Sequence, residues 1–345
     1  MNSQPRWKRR PEGSNWGDFG PDDQFGRANL LTPDVVLKGV AEVKEGRSFC
    51  LSLPLDYPGG GGLNPSRRGP VLQHTMRKGK PCYGYRMVCE DPTMTDVLND
   101  DIAILTLQYS TQWDALGHVG STFDADGDGE AEIVFYNGFR AGVDLLGPDD
   151  ADVSKGDSTV RAKALGIERL AEKSMQGRGV MIDLAHHYGR DRVAAGYDSV
   201  MRIMEADGVE VEKGDMVCFH TGLSTMILEM NKQPDGPLLL RSCPVLDGRD
   251  ERLLQWITDS GLVAIIADNY AVELNPGRDQ HACCSYLPLH EHCLFKLGIP
   301  LGELWYLDEL ARWLRANKRS HFLLTAPPLR LPGAIGSPVT PIATV

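Results

Sequence analysis

The stretch Gln108-Tyr109-Ser110-Thr111-Gln112-Trp113-Asp114-Ala115-Leu116-Gly117-His118 places a carboxylate, an imidazole and two carboxamides close together, directly after the apolar run 102–107. Asp114 and His118 are four residues apart, and Gln108 and Gln112 continue the same even spacing backwards. If the chain leaves a strand in extended form here, even-numbered side chains share one face. We therefore expect this stretch to hold a metal site or a catalytic constellation.

The sequence around this stretch alternates short apolar runs with helical patterns. Buried strands are predicted at 179–184, 215–219 and 262–267. Helical patterns lie near 162–176, 197–206, 249–260, 288–297 and 307–317. Strands separated by helices of this length predict an α/β fold.

The N-terminal part of the chain is different in composition. Residues 1–26 are rich in Gly, Pro and Asp and predict an irregular N-terminal arm. Thr32 and Pro33 then supply an N-cap and a first-turn proline for a helix that runs to about Glu45. No linker clearly divides the remainder, so residues 27–345 are predicted to form a single catalytic domain.

Composition excludes several classes of protein. The formal net charge is −11, from 36 basic and 47 acidic side chains, which argues against binding to nucleic acid or an anionic membrane. Nothing resembles a signal peptide, and no apolar run approaches the ~18 residues of a transmembrane helix. Eight cysteines without a secretory signal are typical of reduced thiols. We expect a cytoplasmic protein.

Several segments resemble known motifs but lack the spacing or the residues that those motifs require. The run 124–129, Asp-Ala-Asp-Gly-Asp-Gly, opens like an EF-hand loop, but Phe135 stands where the bidentate Glu belongs, so an acidic turn is expected. His290-Glu291-His292 lacks the zincin spacing, because position 294 is Leu294. The glycines at 59–62 have neither the Rossmann spacing nor a P-loop lysine. A nucleotide-binding enzyme is not expected.

The stretch around Asp114 resembles the cyclase / kynurenine formamidase-like family of metal-dependent hydrolases, whose hallmark is His-x-Gly-Thr-His-x-Asp-x-Pro-x-His. Thr111, Asp114 and His118 match the hallmark, and the positions that depart from it are Gln108, Ser110, Gln112 and Leu116. Other segments resemble a subgroup of this family that carries Thr-Gln-Trp-Asp: Asn15-Trp16-Gly17, Asn29-Leu30-Leu31-Thr32-Pro33, Tyr136-Asn137-Gly138, Ala267-Asp268-Asn269 and Pro300-Leu301-Gly302-Glu303.

The departures bear on the number of metals. In the two-zinc members, the first two hallmark histidines hold one metal, and this sequence has Gln108 and Gln112 in their places. The other metal uses residues that the sequence keeps, which are Asp114, His118, His290 and Glu303. The resemblance thus implies one divalent metal per chain, Zn or Mn. Two imidazoles and two carboxylates suit these ions, whereas a carboxamide oxygen is a weaker ligand.

The resemblance also implies an architecture and an activity. The fold would be the swivelling β/β/α domain, with a mixed, partly barrel-like sheet and surrounding helices, assembled as a homodimer or homotetramer. The activity would be hydrolysis of a C–N or C–O bond next to a carbonyl group, in a cyclic amide or lactone. Two alternatives stay open: a metal-free protein that binds a small molecule, and a metal-dependent lyase or cyclase.

A further set of residues would act on the substrate. His118 or Glu303 would move a proton, and Gln112 would complete the coordination or hydrogen-bond to the substrate carbonyl. The candidates for substrate binding are Gln108, Trp16, Trp113, Tyr136 and His220. The three aromatic residues would favour a flat ring, although core packing is the alternative for each, as it is for His220 at the end of a buried strand.

Overall fold

The centre of the fold is a nine-stranded mixed sheet that curls into a half-barrel. The computed structural model describes residues 5–61, 63–150, 159–275 and 284–345. In chain order the strands of the sheet are β1 Ser48–Cys50, β2 Gln112–Asp114, β3 Gln176–Asp183, β4 Met216–His220, β5 Ala264–Ala267, β6 Leu301–Glu303, β7 His321–Thr325, β8 Gly336–Pro338 and β9 Ile342–Thr344.

The order of the strands places the hallmark stretch beside a parallel core. The sheet runs β1-β9-β7-β3-β4-β5-β6-β2-β8. Neighbours from β3 to β6 are parallel, and the remaining pairs are antiparallel. The three predicted buried strands are β3, β4 and β5, and every residue of β4 and β5 is buried. Their continuous apolar character follows from helices or loops covering both faces.

Two apolar clusters lie on opposite faces of this sheet. The cluster on face A includes Val180, Phe219 and Leu301. The cluster on face B includes Met181, Cys218 and Trp113. Because successive side chains of a strand point to opposite faces, this assignment also fixes where the neighbouring polar residues point.

Nine α-helices are found in the described part of the chain. They are α1 Pro33–Ala41, α2 Glu168–Glu172, α3 Leu184–Tyr188, α4 Tyr197–Asp207, α5 Leu223–Glu229, α6 Gly236–Leu240, α7 Glu251–Ser260, α8 Pro288–His290 and α9 Asp308–Ala316. A π-helix, Glu291–Leu297, continues α8. Short 3-10 helices occupy Gly26–Leu30, Met87–Cys89 and Tyr136–Gly138.

Most sequence-based helices are confirmed, with shifts at their ends. The Thr32 side chain caps α1 through Val35 N, as expected, but α1 ends at Ala41 rather than near Glu45. The prediction of a helix over 162–176 is wrong in extent, since only Glu168–Glu172 is helical. Residue 176 already belongs to β3, and Ser174 and Met175 have positive φ angles that interrupt any helix there.

The apolar run before the hallmark does not form a core strand. Strand Asp101–Ile104 pairs with Val71–His74 in a two-stranded ribbon whose residues are mostly exposed. The ribbon continues into the pairs Met76–Arg77 with Lys80–Pro81 and Tyr83–Arg86 with Val97–Asn99. We call residues 71–104 the β-arm. The other two-stranded pairs are Ser121–Phe123 with Glu132–Val134, Leu145–Leu146 with Arg161–Ala162, and Ala194–Ala195 with Val245–Leu246.

The N-terminal segment lies against the body of the chain. Described residues 5–25 contain no helix and only one bridge, between Gly17 and Gly20. Trp16 is nevertheless buried in the face-A cluster. The glycine run forms a turn at Gly60 and Gly61, while Gly62 is outside the described residues. Within the described ranges, none of the helices has the length and apolar character needed to cross a membrane.

Candidate metal centre

Strand β2 sorts the hallmark residues onto two faces of the sheet. Gln112 and Asp114 point to face A, and Trp113 between them points to face B. β6 and β8 pair with β2 on its two sides and place Glu303 opposite Gln112. Only 112–114 are extended, so the even spacing predicted for the whole stretch holds for two of its four polar residues.

Two carboxylates and one imidazole lie close together on face A. One ligand atom each from Asp114, His290 and Glu303 lies within 4.8 Å of the others, and all three residues are buried. Asp114 comes from β2, Glu303 from the end of β6, and His290 from the end of α8. His290 Nε2 is 3.2 Å from Glu303 Oε1. The structure thus brings together three of the four predicted metal ligands.

Unpaired oxygens in this cluster fit a cation. Gln112 Nε2 donates to Asp114 Oδ1 at 3.2 Å and to Glu303 Oε2 at 3.4 Å. Gln112 Oε1 and Asp114 Oδ2 are buried and have no hydrogen-bond partner among the described residues. Burying an oxygen that accepts no hydrogen bond costs free energy, unless a positively charged group lies beside it. Two carboxylates, an imidazole and an amide oxygen form a donor set that suits a divalent metal.

His118 lies at the edge of this cluster. Its Nε2 is 3.8 Å from Asp114 Oδ1, which is beyond hydrogen-bonding distance, and its side chain is 20% exposed. Its Nδ1 has no partner among the described residues. His118 and Gln108 both line a cavity of about 850 Å³ with largely apolar walls. Gln108 and His118 therefore meet at the cavity, although neither belongs to β2.

Glu273 is a site residue that the sequence analysis missed. It is fully buried and accepts hydrogen bonds from Leu289 N and His290 N, each at 3.0 Å. Its Oε1 is also 2.8 Å from His290 Nδ1, which leaves His290 Nε2 directed at Glu303. A carboxylate on the far nitrogen orients a ligating imidazole and raises its basicity. A lone Glu in a loop gives no sequence signal of this role.

Arg67 is a second residue that the sequence analysis missed. It belongs to the glycine-rich segment before the β-arm, and its guanidinium donates to Gln108 O at 2.7 Å. Its positive charge acts on both Asp114 and Glu303 and favours their ionised forms. No motif marks it in the sequence, because its place beside the cluster depends on how the loop folds back.

Burial and mutual charge set the ionisation of the cluster. Burial raises the pKa of Asp114, and the negative charge of Glu303 adds to this. Burial alone would raise the pKa of Glu303 too, but its hydrogen bond and attraction to His290 hold that pKa below its usual value. Burial would lower the pKa of His290, yet hydrogen bonds to Glu273 and Glu303 raise it to about 10. The metal-free site therefore holds His290 as a cation at neutral pH.

This charge state predicts how the metal-free protein responds to pH. The pKa of His290 is higher in the folded protein, about 10, than its ordinary value of 6.5. The contribution of His290 to the free energy of unfolding is therefore fully present below pH 6.5 and is lost as the pH rises towards 10. We expect the midpoint of thermal unfolding of chelator-treated protein to fall across this window. Metal-loaded protein should lack this slope, because a ligating imidazole carries no proton on Nε2. Equal slopes for both forms would contradict this account.

The three aromatic candidates do not line the site. Trp113 is fully buried on face B, packs on Trp305 with ring centroids 5.1 Å apart, and donates to Ala326 O. Trp16 is in the face-A cluster and donates to Phe295 O at 2.8 Å. Tyr136 is in the same cluster. The structure corrects their assignment as pocket walls, because each ring is enclosed by core side chains.

His220 also lies away from the predicted site. It ends β4 on face B, where its Nδ1 is 2.7 Å from Asp183 Oδ1 and its Nε2 is 3.7 Å from Asp308 on α9. Burial would lower the pKa of His220, but the hydrogen bond to Asp183 and nearby carboxylates raise it. The sheet separates His220 from Glu303, so its assignment to substrate binding is corrected. The core alternative agrees with the structure.

Two further sequence features are located by the structure. His292, the neighbour that competes with His290 in the sequence, lies 2.9 Å from Thr258 Oγ1, and burial lowers its pKa to about 4. The carboxylates of Asp124, Asp126 and Asp128 lie within 4.8 Å of one another in a turn. Ion pairs with Arg9 and Arg140 reach this turn.

Comparison with known proteins identifies the family. The chain resembles a crystal structure described as a novel cyclase, with 28% identity and a TM-score of 0.74 over 96% of this chain and 97% of that one. Isatin hydrolase A from Ralstonia solanacearum shares the fold at 14% identity and a TM-score of 0.53, over 90% and 97% of the two chains. Isatin hydrolase A from Labrenzia aggregata, bound to benzyl benzoate, does so at 15% and 0.52, over 86% and 93%.

A family model agrees with this structural likeness. The model described as "Putative cyclase" matches residues 71–274, which is more than half of the chain. The chain belongs to this cyclase family. No match is found among curated proteins.

Proposed function

We propose that this protein is a metal-dependent hydrolase that opens a C–N or C–O bond next to a carbonyl group, in a cyclic amide or a lactone. The observation that carries the proposal is the buried convergence of Asp114, His290 and Glu303, with an unpaired oxygen on Asp114. The fold shared with isatin hydrolases supports it.

One divalent ion, Zn or Mn, is the cofactor we propose. Asp114, His290 and Glu303 would hold it, and Gln112 Oε1 offers a fourth, neutral donor. When bound, such an ion supplies a Lewis acid that polarises a carbonyl group in contact with it. Glu273 contacts His290 Nδ1 and so directs Nε2 at the site, where the ion would take the place of the Nε2 proton.

His118 is the residue we assign to proton transfer. It lies beside Asp114 but is too distant for a hydrogen bond, and its ring lines the cavity. An imidazole that is not committed to a partner takes a proton from an attacking water and passes it to a leaving nitrogen or oxygen. Glu303 is engaged by Gln112 and His290, so it is the less available of the two candidates.

The cavity beside His118 defines what would bind. Its walls include Leu145, Leu331 and Ile335, and Gln108 supplies a carboxamide. Apolar walls with a few polar groups at one end are typical of small-molecule sites. A compact apolar ring with its carbonyl group towards His118 fits this arrangement. The substrate-binding surface we propose is thus mostly aliphatic with Phe135 as an aromatic member, in place of the wall of Trp16, Trp113 and Tyr136 expected from the sequence.

Metal content and product mass together test the proposal. Elemental mass spectrometry of chelator-free protein should give about one Zn or Mn per chain, and less in Glu303→Gln. The loaded protein should convert members of a panel of lactones, isatin-type amides and formamides to products heavier by one water.

Three results would overturn parts of the proposal. Two metals per chain would make Gln108 and Gln112 ligands of a second site. No metal after reconstitution would favour a binding protein without catalysis. A product with the mass of its substrate would indicate a cyclase instead.

A further inference from the structure

A second cavity adjoins the one that we assign to the substrate. Its volume is about 660 Å³. The chain passes directly from one cavity to the other, since Gly117 and His118 line the first and residues 119–122 line the second. Phe135 lines both cavities. A molecule held beside His118 therefore has a second compartment within reach, on the other side of Phe135.

A carboxylate supplies the charge of the second cavity. Of the described residues that line this cavity, Glu291 is the only one with a formal charge. Its side chain is half-buried, and the Ser121 hydroxyl donates to its Oε1 at 2.8 Å. Within the described ranges, Glu291 forms no ion pair with a lysine or an arginine. A carboxylate that is partly withdrawn from water and lacks a cation favours a positively charged ligand beside it.

The helix that carries a metal ligand also sets the direction of Glu291. α8 ends at His290, and the π-helix begins at Glu291. Successive side chains of a helix point about 100° apart. His290 accordingly faces the metal cluster, while Glu291 faces Ser121 and the second cavity. One helical segment thus connects the two sites, and π-helical turns are frequent at functional sites.

Two aromatic side chains belong to the same wall as Glu291. They are Phe135 and Tyr286. The Phe135 ring packs on Gly120, where an added β-carbon would lie 2.8 Å from the ring. The Tyr286 hydroxyl hydrogen-bonds to Asn275 Oδ1, which holds that ring in place. Aromatic rings attract cations through their faces. An ammonium ion is therefore the ligand that suits a carboxylate flanked by these two rings.

We propose that the second cavity binds an ammonium group of the substrate, with Glu291 as its counter-ion. This assignment rests on the proposed function, because the scissile ring is taken to lie beside His118. The substrate is then a lactone or a cyclic amide that carries a protonated amine on a short side chain. The hydroxyl groups of Thr122 and Ser285 in the same wall are acceptors for the N–H groups of such an amine. The net charge of −11 also attracts cations to the protein.

Equilibrium binding of benzylammonium tests this subsite, with benzyl alcohol as the neutral counterpart. In isothermal titration calorimetry of the metal-loaded protein, benzylammonium should bind more tightly than benzyl alcohol. Glu291→Gln should weaken the binding of benzylammonium about 10- to 100-fold, because it removes the charge from a charge-assisted contact. The same variant should bind benzyl alcohol as the wild type does.

Glu130→Gln is the matched control for the loss of charge. Glu130 is exposed in the loop between strands Ser121–Phe123 and Glu132–Val134 and does not line the second cavity. Glu130→Gln should bind both probes like the wild type. Glu291→Gln should keep the circular dichroism spectrum and the metal content of the wild type, which excludes misfolding as the cause of weaker binding. For a hydrolysed lactone with an aminoalkyl side chain, Glu291→Gln should raise KM in the same proportion and change kcat much less.

Three results would overturn the subsite. Glu291→Gln might bind benzylammonium as tightly as the wild type, or Glu130→Gln might weaken binding equally, which would mean that overall charge alone attracts the probe. Binding that is lost in Glu303→Gln but kept in Glu291→Gln would place the amine on the metal. Binding of the probe requires no turnover. A protein that binds benzylammonium through Glu291 but hydrolyses no member of the panel would therefore support the subsite and contradict the proposed hydrolysis.

Discussion

Glu303→Gln should abolish metal retention and reduce hydrolytic activity at least about 1,000-fold. The change removes one of two buried negative charges that would face the cation and leaves the size of the side chain unchanged. It also replaces the charged acceptor of the His290 hydrogen bond by a neutral amide oxygen, which weakens the contact on the side of the metal. Metal per chain and turnover should fall together.

Two other glutamates near His290 provide comparisons for the loss of metal in Glu303→Gln. Glu273 contacts His290 from behind, so Glu273→Gln should weaken metal binding by roughly 10- to 100-fold, as losses of outer partners do. Glu291 is adjacent to His290 in sequence but hydrogen-bonds to Ser121, and Glu291→Gln should retain its metal. If Glu303→Gln kept its metal while Glu291→Gln lost it, the ligand set proposed here would be wrong.

Trp113→Ala should lower the free energy of unfolding by about 3–5 kcal/mol. The ring is fully buried on face B, packs edge-on against Trp305, and donates a hydrogen bond to Ala326 O. Removing it leaves a cavity and an unpaired carbonyl oxygen beside the strand that holds Asp114. Chemical denaturation of metal-loaded protein measures the loss.

A tryptophan in a less enclosed place provides the comparison. Trp256 is half-buried on α7, and Trp256→Ala should cost clearly less than Trp113→Ala. If Trp113→Ala had normal stability and an increased KM for aromatic substrates, Trp113 would line the substrate pocket after all. The enclosure of its ring on face B argues against that result.

The parallel centre of the fold could be predicted because its strands are buried on both faces. The runs that became β3, β4 and β5 are continuously apolar, and tertiary contacts only reinforce that pattern. The apolar run 102–107 had the same character, yet its strand, Asp101–Ile104, belongs to the exposed β-arm. Hydrophobicity alone therefore does not show whether an apolar segment joins the core of the fold.

The candidate site was predicted unevenly for a similar reason. Asp114 was found through the hallmark motif, and His290 and Glu303 through positions outside it that the resemblance assigns to the metal site. The structure brings the three together. Glu273 and Arg67 act through contacts that the fold creates, so no spacing in the sequence reveals them. His220 and Trp113 were misplaced because one residue of strand register decides which side of the sheet a side chain faces.

Strand β2 also limits how this site can evolve. β6 and β8 fix its register on both sides, and its three residues alternate between chemistry on one face and packing on the other. An insertion or deletion of one residue would turn the indole of Trp113 towards His290 and Glu303 and drive Asp114 into an apolar layer. New specificities in this lineage must therefore arise by exchanging side chains in place or by remodelling the loops around the cavity, with the length of β2 held constant.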